Sequence, residues 1–494
     1  MKHVVIVGGG IAGLSAAYYL LKANKTPIRI TLLEEADYWG GKLITERVPF
    51  GEGQFVIEGG PDTFVATKAW GIKLCSELGI ADRLRGTNPA TKKTYIVKDE
   101  KLHELPGGLT MMIPTEFGPM IRTGLLSWPE KIRMGLDFLL PPAAVNGDET
   151  LGAFVTRRLG RSAYENLIEP LMSGIYAGDG DKLSLESTFS YLRELELKYG
   201  GLVNGALALR RERARKARAD GNSPTPTPGS RSIFQTPLTG MAEIVEALVQ
   251  TIRASGVQLR LRSPVKKIMN TSDGYSIQLV NGEIIPADGV ILATPSFIAA
   301  ELLEDIAPDL AAELRPIVYV STATVSMAFH EADLPRALDG YGYVIPRREG
   351  RKALACTWTS TKFPHRAPKE YALVRVFIGR AGQEDKIPWD EAGLLEVARE
   401  EISRTLGITA YPLLTRVYRW EKAMPQYNLG HPERLRRIQH LLREYSGLAL
   451  GGNAYQGIGI PDCIHSGEIA AQKICSEVSI DNLTDMREVR KQTL

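Results

Sequence analysis

One glycine cluster limits what this chain can fold into more than any other feature. Gly8-Gly9-Gly10-Ile11-Ala12-Gly13 follows the apolar run His3 to Val7 and opens a segment rich in small residues, Gly13 to Leu21. The spacing predicts a strand, a tight turn and a helix, followed by a second buried strand at Ile28 to Glu34 (IRITLLE). Each glycine has a separate task. Gly8 permits the turn, Gly10 removes the Cβ that would block a pyrophosphate, and Gly13 lets helix and strand approach closely. The helix N-terminus then presents free N–H groups and partial positive charge to phosphates. Glu34 ends the second strand at about the 20-residue distance expected of a ribose-binding carboxylate. An accidental glycine-rich turn would not carry strand, helix, second strand and acid in this order. The unit is a Rossmann-type dinucleotide site in an α/β fold.

A chain of 494 residues is too long for one core, so two or three domains are expected. The 60 Lys+Arg against 57 Asp+Glu leave a net charge of +3, which gives no reason to expect nucleic acid as a partner. Cys75, Cys356, Cys463 and Cys475 show neither paired nor C-x-x-C spacing, so neither zinc nor a disulfide framework is expected, and a cytoplasmic location fits. The glycines interrupt the amino-terminal apolar run, which therefore does not read as a signal peptide. No stretch is long and apolar enough to span a bilayer.

Farther along, Leu102 to Leu209 reads as a helical insertion, with amphipathic stretches at Pro129 to Leu140 and Leu151 to Leu159. The basic run Arg210 to Arg218 and the Pro/Ser/Thr-rich Asn222 to Gly229 read together as a flexible surface loop. A helix at Ala242 to Arg253 and strands at Val257 to Leu261, Pro264 to Ile268, Ile277 to Val280 and Val290 to Thr294 follow. Tyr319 to Phe329, Ala353 to Thr359 and Leu373 to Gly379 suggest a β-rich domain. Leu448 to Leu450 is a short strand and Ile464 to Ile474 a helix. The expected division is 1–90, 233–296 and 412–494 for a discontinuous dinucleotide domain, 91–232 for the helical insertion, and 297–411 for the β-rich domain.

NAD and FAD share the amino-terminal fingerprint, and Gly40-Gly41-Lys42 soon after Glu34 separates them. With that pair the chain resembles the superfamily of FAD-dependent amine oxidases, phytoene desaturases and protoporphyrinogen oxidases, although Tyr38 stands where that family usually has Arg. Ile57-Glu58-Gly59-Gly60-Pro61-Asp62-Thr63-Phe64 is similar to the G-P-D-S-F segment of bacterial oxygen-dependent porphyrinogen oxidases. Ser232 to Pro237 with Gly240-Met241, Trp420 with Met424-Pro425-Gln426-Tyr427, and Gly451 to Cys463 (GGNAYQGIGIPDC) extend the likeness over nearly the whole chain. The Gram-positive coproporphyrinogen III oxidases are the nearest group.

The resemblance implies FAD, bound without a covalent link because Asn453 and Ala454 stand where monoamine oxidases carry a cysteine. It implies Glu34 on the adenosine ribose with Glu35 beside it, Gly41 and Lys42 near the cofactor, and Gly60, Pro61, Asp62 and Thr63 beside the flavin. Val265 should meet the adenine through its backbone, and Trp420 should pack near the ring system. Gly452, Asn453, Gly457, Ile458, Gly459 and Ile460 should form a second helix-opening turn whose dipole favours the charge of reduced flavin. Val265 as an ordinary strand residue and Trp420 as plain core are the alternatives. The implied reaction removes six electrons from a porphyrinogen in three flavin cycles, each ended by O2 with release of H2O2, and it requires no catalytic dyad. Coproporphyrinogen III is preferred over protoporphyrinogen IX. Arg347, Arg348, Arg351 and Lys352, or Lys362 with Arg366, are candidate cations for substrate propionates, weighed against a solvent-facing role.

Two other readings stay open. An amine oxidase or carotenoid desaturase would keep the fold, with Trp420 and Tyr455 imitating an aromatic cage. A non-catalytic carrier of flavin or porphyrin would keep only the binding. The apolar stretch from Met111 to Leu140 is a candidate membrane-surface contact, and a haem-pathway chelatase is a candidate partner.

Overall fold

The computed structural model describes residues 1–23, 27–107, 109–110, 113–114, 116–143, 147–219 and 232–478. Met111, Met112 and Asn222 to Gly229 therefore lie outside the described residues.

The strands β1 (His3–Val7), β2 (Arg29–Leu33), β3 (Gln258–Arg260), β4 (Gly289–Leu292) and β5 (Leu448–Leu450) form one parallel sheet in the order β3-β2-β1-β4-β5. Side chains leave a strand on alternate faces, and both faces here are covered. Val4, Ile6, Ile30 and Leu32 join the core shared with helices α1 (Ile11–Ala23), α2 (Ala242–Ala254) and α3 (Ile460–Val478). Val5, Val7, Leu33, Val290 and Leu292 face a second core with Ala299, Leu303, Leu310 and Ile438. A strand buried on both sides must be apolar throughout, which is why β1 and β4 read as unbroken apolar runs rather than alternating ones.

The second large sheet has seven strands, ordered Leu414–Pro425, Tyr319–His330, Tyr371–Ile378, Ala353–Trp358, Gly342–Val344, Tyr95–Lys98 and Lys101–Glu104. Neighbours are antiparallel except Gly342–Val344 with Tyr95–Lys98. The helix Glu391–Leu406 covers one face through Leu394, Val397, Ala398 and Ile402. This sheet takes strands from the expected segments 91–232 and 412–494 as well as from 297–411. Helices Leu151–Leu159, Glu169–Tyr176, Leu185–Tyr199 and Leu202–Ala219 share a third core containing Phe154, Met172, Leu192 and Val203.

The basic run is a correction. Arg210 to Arg218 is helical, the carboxy-terminal half of Leu202–Ala219, and not a loop. Arg, Ala, Glu and Lys are strong helix formers, and Leu202, Val203 and Ala206 anchor the first turns in the core. Charge density alone does not disorder a segment with an apolar start. Smaller differences fall at element ends: α1 begins at Ile11 inside the glycine motif, and α3 starts at Ile460.

Candidate functional site

The amino-terminal turn is shaped as its glycines require. Gly8 has φ +106°, and a Cβ there would lie 2.8 Å from the Ala293 carbonyl oxygen, on the loop after β4. A Cβ on Gly13 would come within 1.9 Å of the Gly8 oxygen, so the helix seats against the turn only without one. At Gly10 no atom lies within 4 Å of that position: the space in front of the turn is open. Ile11, Ala12 and Gly13 form the first turn of α1 and are buried.

Glu34 reaches this turn. One carboxylate oxygen accepts the Gly9 N–H at 2.6 Å and the other accepts the Ala36 N–H at 2.9 Å. Each oxygen keeps a free lone pair for a sugar hydroxyl. The Ser263 N–H bonds the Glu34 carbonyl at 2.8 Å, which brings Val265, first residue of the strand Val265–Thr271, to the same edge. Glu35 is exposed and forms no hydrogen bond or ion pair among the described residues.

Gly40 bridges to Gly10, and the Cβ position of Gly41 is 3.3 Å from the Gly10 Cα. Lys42 follows. Its ammonium is half-buried, has no hydrogen bond or ion pair among the described residues, and is pushed below the usual lysine range by burial, with the neighbouring Cys463 opposing. Burial also raises the Cys463 thiol to about 12, with Lys42 opposing, so Cys463 is not a thiolate and does not neutralise Lys42. Gly60 packs against the Lys42 carbonyl, which a Cβ there would meet at 1.9 Å.

The segment from Gly59 to Thr63 is held from the seven-stranded sheet. The Gly59 carbonyl accepts Trp420 Nε1 at 2.9 Å, Thr324 Oγ1 at 3.0 Å and Arg375 Nη2 at 3.2 Å. Arg375 also donates to the Gly60 carbonyl. Asp62 pairs with Lys362 at 3.1 Å. Burial alone would raise its pKa, but Lys362, Arg375 and Arg366 hold it at about 2. Thr63 donates to Asp62, and Pro61 is exposed.

The carboxy-terminal turn follows β5 and so leaves the same edge of the parallel sheet as the turn after β1. Gly451 N–H bonds Leu292 of β4 at 2.9 Å, and Gly452 N–H bonds Ser466 at 3.0 Å. Nothing lies within 4 Å of the Cβ position of Gly452. Tyr427 clamps the turn, its hydroxyl donating to the Asn453 carbonyl at 2.6 Å and accepting the Gly457 N–H at 2.9 Å. His431 stacks on Tyr427 with ring centroids 4.3 Å apart. Gly457 and Gly459 leave room for Asp462, which binds Lys68 at 2.7 Å. Ile458 packs at the margin of the helical core and Ile460 is buried at the start of α3. That helix lies directly on α1: a Cβ on Gly467 would be 2.3 Å from the Ala12 oxygen.

The fingerprint, Glu34, Gly41-Lys42, Gly60 and the carboxy-terminal turn are thus brought next to one another, through the Glu34–Gly9 bond, the Gly10–Gly40 bridge, the Gly60–Lys42 contact and the packing of α3 on α1. Comparison with known proteins identifies the family. The family described as "Flavin containing amine oxidoreductase" matches residues 11–475. The chain belongs to that family. Its members' flavin, together with a dinucleotide fold, makes the cofactor FAD and the protein an oxidoreductase. This amine oxidoreductase family member is 36% identical to coproporphyrinogen III oxidase of Bacillus subtilis over 473 residues, 95% of this chain and 97% of that one. It is 28% identical to human protoporphyrinogen oxidase, over 96% of this chain and 98% of that one. A crystal structure of an Exiguobacterium protein provisionally named a protoporphyrinogen oxidase superposes with a TM-score of 0.82 at 33% identity, over 96% of this chain and 98% of that one.

The residues present fit FAD. Lys42 is a half-buried cation with no protein anion among the described residues, and the open space before Gly10 and Gly452 is where a Cβ would intrude on a bound group. Sequence reasoning missed Arg375, Thr324, the Tyr427 clamp and the Lys68–Asp462 pair. Gly467 carried a readable signal, a glycine inside a helical pattern, which marks close packing.

Most of the candidate propionate cations have protein partners. Arg351 is buried and bonds Glu401, Thr405 and Glu100. Arg347 donates to the Ala381 and Gly178 carbonyls, and Arg348 to Asn166. Arg366 is buried against Glu58 and Thr236, and Lys362 is held by Asp62. Arg348 and Lys352 are exposed, while Arg347, Arg351, Lys362 and Arg366 are partly or fully buried and tie elements together.

Proposed function

We propose that this chain oxidises a porphyrinogen to a porphyrin with O2, and that coproporphyrinogen III is its substrate. The observation that carries this is the likeness to the Bacillus subtilis coproporphyrinogen III oxidase along nearly the entire length of both chains. The lower identity to the human protoporphyrinogen oxidase ranks protoporphyrinogen IX second. Against an amine-oxidase cage stands the position of Tyr455, buried in the core beneath the parallel sheet, with no ring contact to Trp420 among the described residues.

Bound FAD supplies the two-electron chemistry, taking hydride equivalents from the substrate and returning electrons to O2. Six hydrogens leave the porphyrinogen, and three O2 become three H2O2. The chain's own residues bind and orient. Glu34 accepts ribose hydroxyls, with Glu35 flanking it, while Gly8 to Gly13 and the start of α1 receive the pyrophosphate. Lys42 supplies positive charge, and Val265 offers its backbone to the adenine. Gly60 to Thr63, Gly452, Asn453 and Gly457 to Ile460 frame the flavin, and Trp420 anchors that frame through Gly59. Attachment is non-covalent, which fits a Cys463 thiol kept protonated by burial. The seven-stranded sheet, including Tyr95–Glu104 and Leu414–Pro425, forms the substrate domain, apart from the discontinuous FAD domain and the helical insertion.

No helix among the described residues is long and apolar enough to cross a membrane. A peripheral contact is supported by one exposed apolar face. Trp128, Ile132 and Leu136 recur at helical spacing, and Leu139 follows, 79% exposed, with Lys131 over the Trp128 ring.

Purified protein with FAD in air should turn each porphyrinogen fluorescent with peroxide release, faster with coproporphyrinogen III. Silence with both substrates, or peroxide from amines instead, would refute the reading.

A further inference from the structure

Behind the Gly59–Thr63 segment lies a group of buried charges that hydride transfer itself does not require. Arg366 and Arg375 are 1% and 3% exposed, Glu58 is 3% exposed, and Lys362 pairs with Asp62 beside them. Arg366 is neutralised by Glu58 and Lys362 by Asp62. Among the described residues Arg375 has no carboxylate of its own. Its Nη2 donates to the Gly59 and Gly60 carbonyls, while its Nε and Nη1 are buried with no partner among the described residues. The three cations and two carboxylates leave one surplus positive charge, carried by a guanidinium bonded directly to that backbone.

We propose that Arg375 is a positioning residue of the flavin site: it fixes the Gly59–Gly60 peptides, and its unneutralised charge stabilises the negative charge that the flavin gains on reduction. This rests on the placement of Gly60 to Thr63 beside the flavin proposed above. Burial works against a guanidinium, and it pushes Arg375 below the usual arginine range despite Asp62 and Glu58 nearby. A site that retains such a group without an anion is compensated when an anion forms next to it. Electrons entering the flavin form that anion. The cluster therefore biases the cofactor toward its reduced state and toward anionic adducts.

The test uses the FAD-loaded full chain and reads potential and sulfite affinity, neither of which requires turnover. Arg375→Gln removes the surplus charge, so the flavin should bind reduced relative to oxidised about tenfold less favourably, a fall of roughly 30 mV for a two-electron couple. Sulfite should bind more weakly in parallel. Asp62→Asn removes a negative charge from the same cluster and should shift both readouts in the opposite direction. Arg375→Lys keeps the charge and should stay close to the unaltered protein. Potentials unchanged in both Arg375→Gln and Asp62→Asn, or moved in the same direction, would overturn the proposal. Should Arg375→Gln fail to fold, an upward shift in Asp62→Asn supports the proposal and its absence overturns it. An unaltered chain that binds no FAD would instead refute the reading of the site.

Discussion

At Gly13 an added Cβ would sit 1.9 Å from a backbone oxygen, whereas at Gly10 it would meet no atom within 4 Å. The two glycines therefore separate folding from cofactor binding. Gly13→Ala forces helix against turn and should lower unfolding free energy by about 1–3 kcal/mol, the range for overpacked sites. Gly10→Val should leave the apoprotein within about 0.5 kcal/mol of the original, as surface changes do, while FAD retention is lost. Urea melts of both apoproteins, followed by FAD titration, check this pair; equal destabilisation would count against it. Lys42 belongs to the same scale. Its unneutralised ammonium gives the site positive charge in the absence of ligand. Lys42→Met should therefore weaken FAD binding about tenfold or more, as expected for loss of one charge-assisted contact, with little change in apoprotein melting.

Among elements, the carboxy-terminal turn depends on one phenol. Tyr427→Phe leaves the Asn453 carbonyl and Gly457 N–H without their shared partner, at a cost of about 1–3 kcal/mol. Denaturant melts should register that loss along with weaker FAD retention. His431, stacked on the same ring, titrates. Burial lowers its pKa to about 4, from the ordinary 6.5, with the Tyr455 carbonyl opposing. Between those values the unfolded chain binds a proton that the folded chain refuses. Stability present above pH 6.5 is thus lost as pH falls toward 4, by roughly 2–3 kcal/mol. Melting temperature against pH should show this fall, and His431→Gln should lessen it, the remainder coming from His365, which burial also lowers to about 4. The sequence made the parallel sheet and its amino-terminal turn readable because strand, glycine turn, helix and acid are local patterns with fixed spacing. Lys68 and Asp462 are far apart in the chain, and Arg375 sits in an apolar strand whose pattern says nothing of Gly59. Such pairings follow from the tertiary arrangement alone. The helix at Leu202–Ala219 was obscured for another reason: its charged half resembles disorder in composition, while its anchoring residues lie a full turn or more upstream.

For the molecule as a whole, α3 lies on α1, and the Gly59–Thr63 segment is pinned to the seven-stranded sheet through Gly59. The proposed site exists only when the amino-terminal turn, the carboxy-terminal turn and the seven-stranded sheet meet. The exposed apolar face around Trp128 and Ile132 lies outside that arrangement. Replacing both residues with Ser should abolish co-sedimentation with anionic vesicles and leave porphyrinogen oxidation in detergent-free buffer unchanged. Vesicle binding that persists in the double variant would remove the membrane contact. Anaerobic mixing of the purified holoprotein with coproporphyrinogen III, followed by visible absorbance, tests whether the site holds FAD and presents it to a porphyrinogen. The protein should be yellow, with a flavin band that bleaches on mixing, recovers when air is admitted, and leaves in the filtrate after denaturation. A colourless protein that takes up no FAD, or a flavin band that no porphyrinogen bleaches, would contradict it.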